Sequence, residues 1–240
     1  PAETRWTVGY DGKAVGEVAG QTPKAWAFYS DIGQQTVAAA KAPFVGKRSM
    51  AFAGDAGVAV YRPLVASSTA SVFDPESWKR GQLAKDVAAR LRKDFHAKNA
   101  KALHCASLGA KAAPLSYADG DLVIDGVYVS KSKWSLASVA LPADRYGCDG
   151  PIDDSAGSPY TAHTFAISPE GVASDIGAGL KLVDAGDYDG DGHSELVFQL
   201  SGYNRGGYLL ASDSFKASAT FAFSYHYGGA TSAVRMSRQT

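Results

Sequence analysis

Asp187-Tyr188-Asp189-Gly190-Asp191-Gly192-His193-Ser194-Glu195 decides how this chain is read. The strand-like run Leu180-Lys181-Leu182-Val183 precedes it, and Leu196-Val197-Phe198 follows. Carboxylates recur at every second position as far as Asp191, the pattern skips His193, and a fourth acid arrives at Glu195. Hard cations such as calcium take six to eight oxygens at about 2.3–2.6 Å, which a tight loop of alternating acids supplies. The seventh position of such a loop offers its backbone carbonyl, so His193 has no need to be acidic. Gly190 and Gly192 admit the positive φ angles that wrap a chain around an ion. The stretch therefore predicts a calcium site, against the plainer reading of a solvated acidic turn.

An EF-hand would need a bidentate Glu at its twelfth position and a helix after it. Counted from Asp187, that position is Phe198, within Leu196-Val197-Phe198-Gln199-Leu200. A β-branched and an aromatic residue in a run flanked by glycine-rich segments predict a strand instead. Strand, nine-residue acidic loop and strand together resemble the FG-GAP repeats of integrin-like β-propellers. That resemblance implies Asp187, Asp189, Asp191, the backbone carbonyl of His193 and Glu195 as the ligands of Ca2+.

Composition narrows the function classes. The 240 residues carry 24 Lys+Arg against 24 Asp+Glu, so no basic face is imposed and nucleic acid is disfavoured as a partner. No apolar run approaches the roughly eighteen residues of a membrane span. Abundant Gly, Tyr and Phe (26, 12 and 10) fit a turn-rich β protein, and the length fits one domain over 1–240. Cys105 and Cys148 are the only cysteines. A pair beside a calcium loop suits an oxidising, calcium-rich space and predicts a disulfide, where a reducing one would leave two buried thiols.

Short β runs dominate the first 70 residues. Trp6–Tyr10 and Lys13–Val18 flank Asp11-Gly12, a strong two-residue hairpin signal. Trp26-Ala27-Phe28-Tyr29 and Val58-Ala59-Val60-Tyr61 are further strands. One helix is expected near 75–98, capped by Asp74 with Pro75 in its first turn. Its stripe is Leu83, Val87, Leu91 and Phe95. Beyond it, Asp125-Gly126 predicts a second hairpin, strands follow at 134–141, 164–167, 208–210 and 219–225, and 228–240 reads as a frayed tail. Short strands with frequent turns predict a mainly β fold. At about 40–50 residues a blade the length fits a propeller-like all-β domain of roughly five degenerate blades, with a twisted sandwich as the alternative.

Motifs of catalysis are absent: no G-x-S-x-G, no H-E-x-x-H, no phosphate loop and no dinucleotide fingerprint. The histidines are scattered, and Asp149, Asp153 and Asp154 read as an exposed loop before they read as a glycosidase-like pair. No catalytic residue is assigned. The second informative stretch is Ser201-Gly202-Tyr203-Asn204-Arg205-Gly206-Gly207-Tyr208. It sets a hydroxyl, phenols, an amide and a guanidinium among three glycines, an array of donors with two residue types that often anchor interfaces. The plainer alternative is an ordinary glycine-rich hairpin.

A calcium loop running straight into this segment resembles the periplasmic inhibitors of lysozyme-like peptidoglycan hydrolases. These are akin to type I lysozyme inhibitors and to immunity lipoproteins against effectors of bacteria-killing type IV secretion systems. The resemblance is most specific over 182–210, although here Tyr203 follows Ser201-Gly202 at once and Tyr208 comes later. It implies a non-enzymatic protein in the periplasm, free or held by a lipid anchor upstream of Pro1. It also implies that Ser201, Gly202, Tyr203, Asn204, Arg205 and Tyr208 meet the target's cleft. A calcium-dependent carbohydrate-binding or adhesive module is the alternative, and a glycan hydrolase the third class.

Overall fold

The structure is a computed structural model and describes residues 3–22, 24–27, 31–34, 37–38, 52–53, 59–60, 62–68, 72–108, 113–149, 152–153, 162–202, 205–224 and 235–239. The chain divides into two compact units. One comprises 1–77, 182–199 and 207–240, and the other 78–181 and 200–206.

In the first unit, β1 (Arg5–Gly9) and β2 (Ala14–Gly20) form the hairpin that Asp11-Gly12 predicts. Both turn residues take positive φ, 52° and 62°, and Tyr10 N–H donates to the Lys13 carbonyl at 2.9 Å. That is the backbone twist matching the twist of two strands. β3 (Lys24–Ala27) pairs with β4 (Asp31–Gln34), and β6 (Phe52–Ala53) with β7 (Ala59–Val60). β5 (Val37–Ala38) and β8 (Val65–Ser67) complete a four-stranded sheet ordered β5-β2-β1-β8. Phe28, Tyr29, Val58 and Tyr61, expected in strands, lie outside the described residues.

The second unit holds β9 (Lys79–Arg80), α1 (Lys85–Asn99), β10 (His104–Cys105), β11 (Val123–Val129), β12 (Ser135–Ala140), β13 (Ile152–Asp153), β14 (His163–Ile167) and β15 (Ala173–Ala178). An antiparallel sheet runs β15-β14-β12-β11-β9, and β10 pairs with β13. α1 presses Leu91 and Phe95 into a core with Leu103, Leu122, Val139, Ile152 and Phe165. Each such side chain contributes about 1.5–3 kcal/mol on leaving water. Cys105 and Cys148 are joined as a disulfide next to this core.

Two expectations are corrected here. α1 starts at Lys85, eleven residues after the supposed cap Asp74, because Lys79 and Arg80 are taken up as a strand paired with Val129 and Tyr128. Gly81 then packs so closely on Val129 that a Cβ would meet its Cγ2 at 2.8 Å. Asp125-Gly126 makes a bulge within β11 and not a hairpin, with Gly126 at φ 58°. The actual reversal is Ser130–Trp134, where Lys133 takes φ 70°.

The remaining sheet follows chain order: β16 (Leu180–Gly186), β17 (Glu195–Gly202), β18 (Arg205–Ser212), β19 (Ala217–Ser224) and β20 (Arg235–Gln239). Of the frayed tail expected over 228–240, residues 235–239 form β20, and the others lie outside the described residues. Leu180, Val183, Ala185, Leu196, Phe198 and Ala211 are buried apolar residues of this sheet's strands. The fold is mainly β, as expected, with one α-helix among the described residues. Among the described residues the sheets are open, and none closes on itself.

Candidate metal centre

The acidic loop joins β16 to β17. Asp187 leaves β16 and its N–H donates to the Phe73 carbonyl at 2.6 Å. Its two carboxylate oxygens accept from Gly190 N–H at 2.7 Å and Gly192 N–H at 3.0 Å. Gly190 and Gly192 stand at φ 86° and 87°, where a Cβ would be strained. Asp189 Oδ1 accepts from Asp191 N–H at 3.1 Å, so the turn is fixed by its own acids. Each carboxylate oxygen has two lone pairs, and one hydrogen bond leaves it able to ligate.

Oxygens of Asp187, Asp189 and Glu195 come within 4.8 Å of one another. Asp191 is not among these three; its Oδ1 accepts the N–H of His193 at 2.8 Å, and both residues are exposed. The triad thus comprises three of the four acids in the implied ligand set.

Glu195 is the deep member, 2% exposed, with Oε2 accepting Tyr188 N–H at 2.7 Å. Burial pushes its carboxyl above the usual range, and the charges of Asp189, Asp191 and Asp187 add to that. Among the described residues no Lys or Arg pairs with any of the triad. A buried carboxylate among like charges is costly unless a cation neutralises it. All donors are hard oxygens, the chemistry of calcium or magnesium and not of softer metals. The residues fit a hard divalent cation.

Three supporting residues escaped the sequence reading. Tyr188, between two acids of the triad, turns inward, its carbonyl accepting from Ser67 Oγ. Its ring lies where side chains on Gly9 or Gly186 would stand, each Cβ only 3.2 Å away. Burial drives its phenol far above the ordinary range, with the charge of Asp184 adding to it. Asp184 is itself buried, its Oδ1 accepting from Gly12 and Ala185 N–H groups, and burial raises its carboxyl too. Asp74, read as a helix cap, is buried and accepts the Ser194 hydroxyl at 2.6 Å. The aromatic inside an acidic loop was the one available signal; Asp74 and Ser194 are 120 residues apart and gave none.

Of the expected target-binding residues, Ser201 and Gly202 end β17 and Arg205 opens β18. Tyr203 and Asn204, between them, lie outside the described residues. Tyr208 sits in β18, 38% exposed. Asp154 of the second acidic stretch is also outside the described residues, while Asp153 belongs to β13. No described helix is long and apolar enough to cross a membrane. Compared with known proteins, the chain matches no family model, no curated protein and no solved structure.

Proposed function

We propose that this chain is a non-enzymatic, calcium-binding inhibitor of a lysozyme-like peptidoglycan hydrolase, serving as a periplasmic immunity protein. The observation that carries it is the continuity of β17. The strand begins at the buried triad member Glu195 and ends at Ser201-Gly202, with Arg205 opening the neighbouring strand. Within this reading Asp191 and the His193 carbonyl complete the calcium shell. The open antiparallel sheets are degenerate propeller blades, and the disulfide accords with an oxidising periplasm.

A lysozyme-type cleft holds two carboxylates, one of them protonated as the acid. Ser201, Tyr203, Asn204, Arg205 and Tyr208 supply the donors to meet them. Arg205 forms a bidentate, charge-assisted pair with one carboxylate. A cation at Asp187, Asp189 and Glu195 holds the head of β17, so less freedom is lost when the loop docks.

The test is cell-wall lysis by a panel of lysozyme-fold hydrolases, with and without equimolar protein, in calcium and in chelator. Stoichiometric, calcium-strengthened inhibition of one enzyme class is expected. A second reading, a calcium-dependent carbohydrate-binding module, draws on the exposed rings of Tyr208 and Phe221. Binding to purified glycan without inhibition of any hydrolase selects it and rejects the first.

A further inference from the structure

One short segment grips both ends of the acidic loop. Phe73 accepts the N–H of Asp187 at the loop's start, and Asp74 accepts the hydroxyl of Ser194 at its end. Glu76 N–H closes the arrangement, 3.0 Å from Asp74 Oδ1 and 3.3 Å from Ser194 Oγ. The same segment is tied to the first hairpin: Asp74 N–H donates to the Gly12 carbonyl at 3.1 Å, and Phe73 bridges to Lys13. Gly12 N–H reaches Asp184 Oδ1 at 3.2 Å, in the strand that feeds the loop. All these residues belong to one compact unit.

Asp74 and Ser194 are both buried. A buried hydroxyl–carboxyl hydrogen bond ties its two partners together, because either left alone out of water is costly. Ser194 immediately precedes Glu195, the buried member of the triad, so fixing the serine fixes the backbone from which that carboxylate projects. Groups that orient a ligand without touching the ion govern affinity in this way. The coupling is reciprocal: whatever the segment contributes to cation binding, the cation returns as stability of the segment.

We propose that Asp74 is a positioning residue of the cation loop, setting Glu195 through Ser194, and that cation binding in turn secures residues 72–76 and the 10–13 turn. This rests on the loop being a cation site. It adds that the site is completed by a segment far upstream, and that cation loss loosens the N-terminal hairpin of the same unit.

The experiment uses the full chain and calcium alone as the probe. Affinity is measured by titration calorimetry for the unaltered chain, Asp74→Ala, Asp74→Asn and Ser194→Ala, with circular dichroism to confirm folding. Amide hydrogen exchange at Asp74 and Asp187 is followed with and without calcium. Asp74→Ala and Ser194→Ala weaken calcium binding by about tenfold or more, as the loss of an orienting partner does. Asp74→Asn keeps an acceptor oxygen in place and recovers most of the affinity. Calcium slows exchange at both amides in the unaltered chain. If the unaltered chain binds no calcium, the cation reading itself fails and the inference falls with it. Normal calcium binding with unchanged affinity in folded Asp74→Ala and Ser194→Ala overturns the inference alone, as does an Asp74→Asn no better than Asp74→Ala. Should Asp74→Ala not fold, Ser194→Ala and the exchange data decide, and calcium-insensitive exchange at Asp74 overturns it.

Discussion

His163 Nδ1 lies 2.9 Å from Oδ2 of Asp175, and Lys98 Nζ lies 2.8 Å from the same oxygen. Burial by itself raises the Asp175 carboxyl, but these two donors overcome it and hold the group well below the usual carboxylate range. A carboxyl depressed in the folded state stabilises above its unfolded pKa of about 4 and loses that contribution as pH falls through the folded value. Asp175→Asn is therefore expected to cost about 1.5–3 kcal/mol at neutral pH. The deficit shrinks as both chains are taken below about pH 4. Urea unfolding at pH 7 and pH 3 checks this, and a pH-independent deficit speaks against it.

Calcium is expected to raise the thermal midpoint of the unaltered chain, by about 2.7 kcal/mol of stabilisation at a hundredfold excess over Kd. Glu195→Gln removes a buried charge that lacks a described counter-ion. That variant should be at least as stable as the parent in chelator and less stable in calcium. Melting curves under both conditions show whether the order of the two proteins reverses.

Reducing Cys105–Cys148 opens a loop spanning 43 residues. On the chain-entropy estimate this costs about 4 kcal/mol. The measurement is the urea midpoint with and without reductant, monitored by tryptophan fluorescence. Coincident curves would show that the bridge adds nothing beyond the packed core.

Gly207 in β18 lies where an added Cβ would stand 2.1 Å from the Phe221 carbonyl oxygen. The obstacle is the backbone of a neighbouring strand, which cannot turn aside as a side chain can. Gly207→Ala is expected to destabilise by about 1–3 kcal/mol or more through overpacking. Gly120, with nothing within 4 Å of its Cβ position, is the control, and Gly120→Ala should stay within about 0.5 kcal/mol of the parent.

On the proposed inhibitor reading, Arg205→Ala and Tyr203→Ala are each expected to weaken binding to the target hydrolase by about tenfold or more, the loss typical of an interface anchor. Calcium affinity should not change. Surface-bound hydrolase and purified variants give the dissociation constants directly. Two variants that inhibit as well as the parent would remove the 201–208 segment from the proposed interface.

The sequence was most legible where one residue's own backbone preference settled the outcome. Asp11-Gly12 turns a hairpin because both residues accept positive φ. The same dipeptide at Asp125-Gly126 misleads, since positive φ serves a bulge as well as a turn, and the true reversal hangs on Lys133, a residue without that signature. Asp74-Pro75-Glu76 looks like a helix start because local rules count only local partners. The Asp74 carboxylate is engaged by Ser194, which no local window contains. Alternating acids pointed to the loop itself, but which of their oxygens converge is set by the three-dimensional turn and not by the spacing. How the sheets are arranged was beyond reach for a related reason, because it depends on pairings between strands remote in sequence.

The cradle around Tyr188 bears on how such a loop travels between proteins. Its nine residues look like a cassette, portable to any strand–strand junction. Yet the ring needs the bare backbone of Gly9 and Gly186, and Ser194 needs an acceptor from another part of the chain. Moved alone, the cassette would carry its charges and leave its foundations behind.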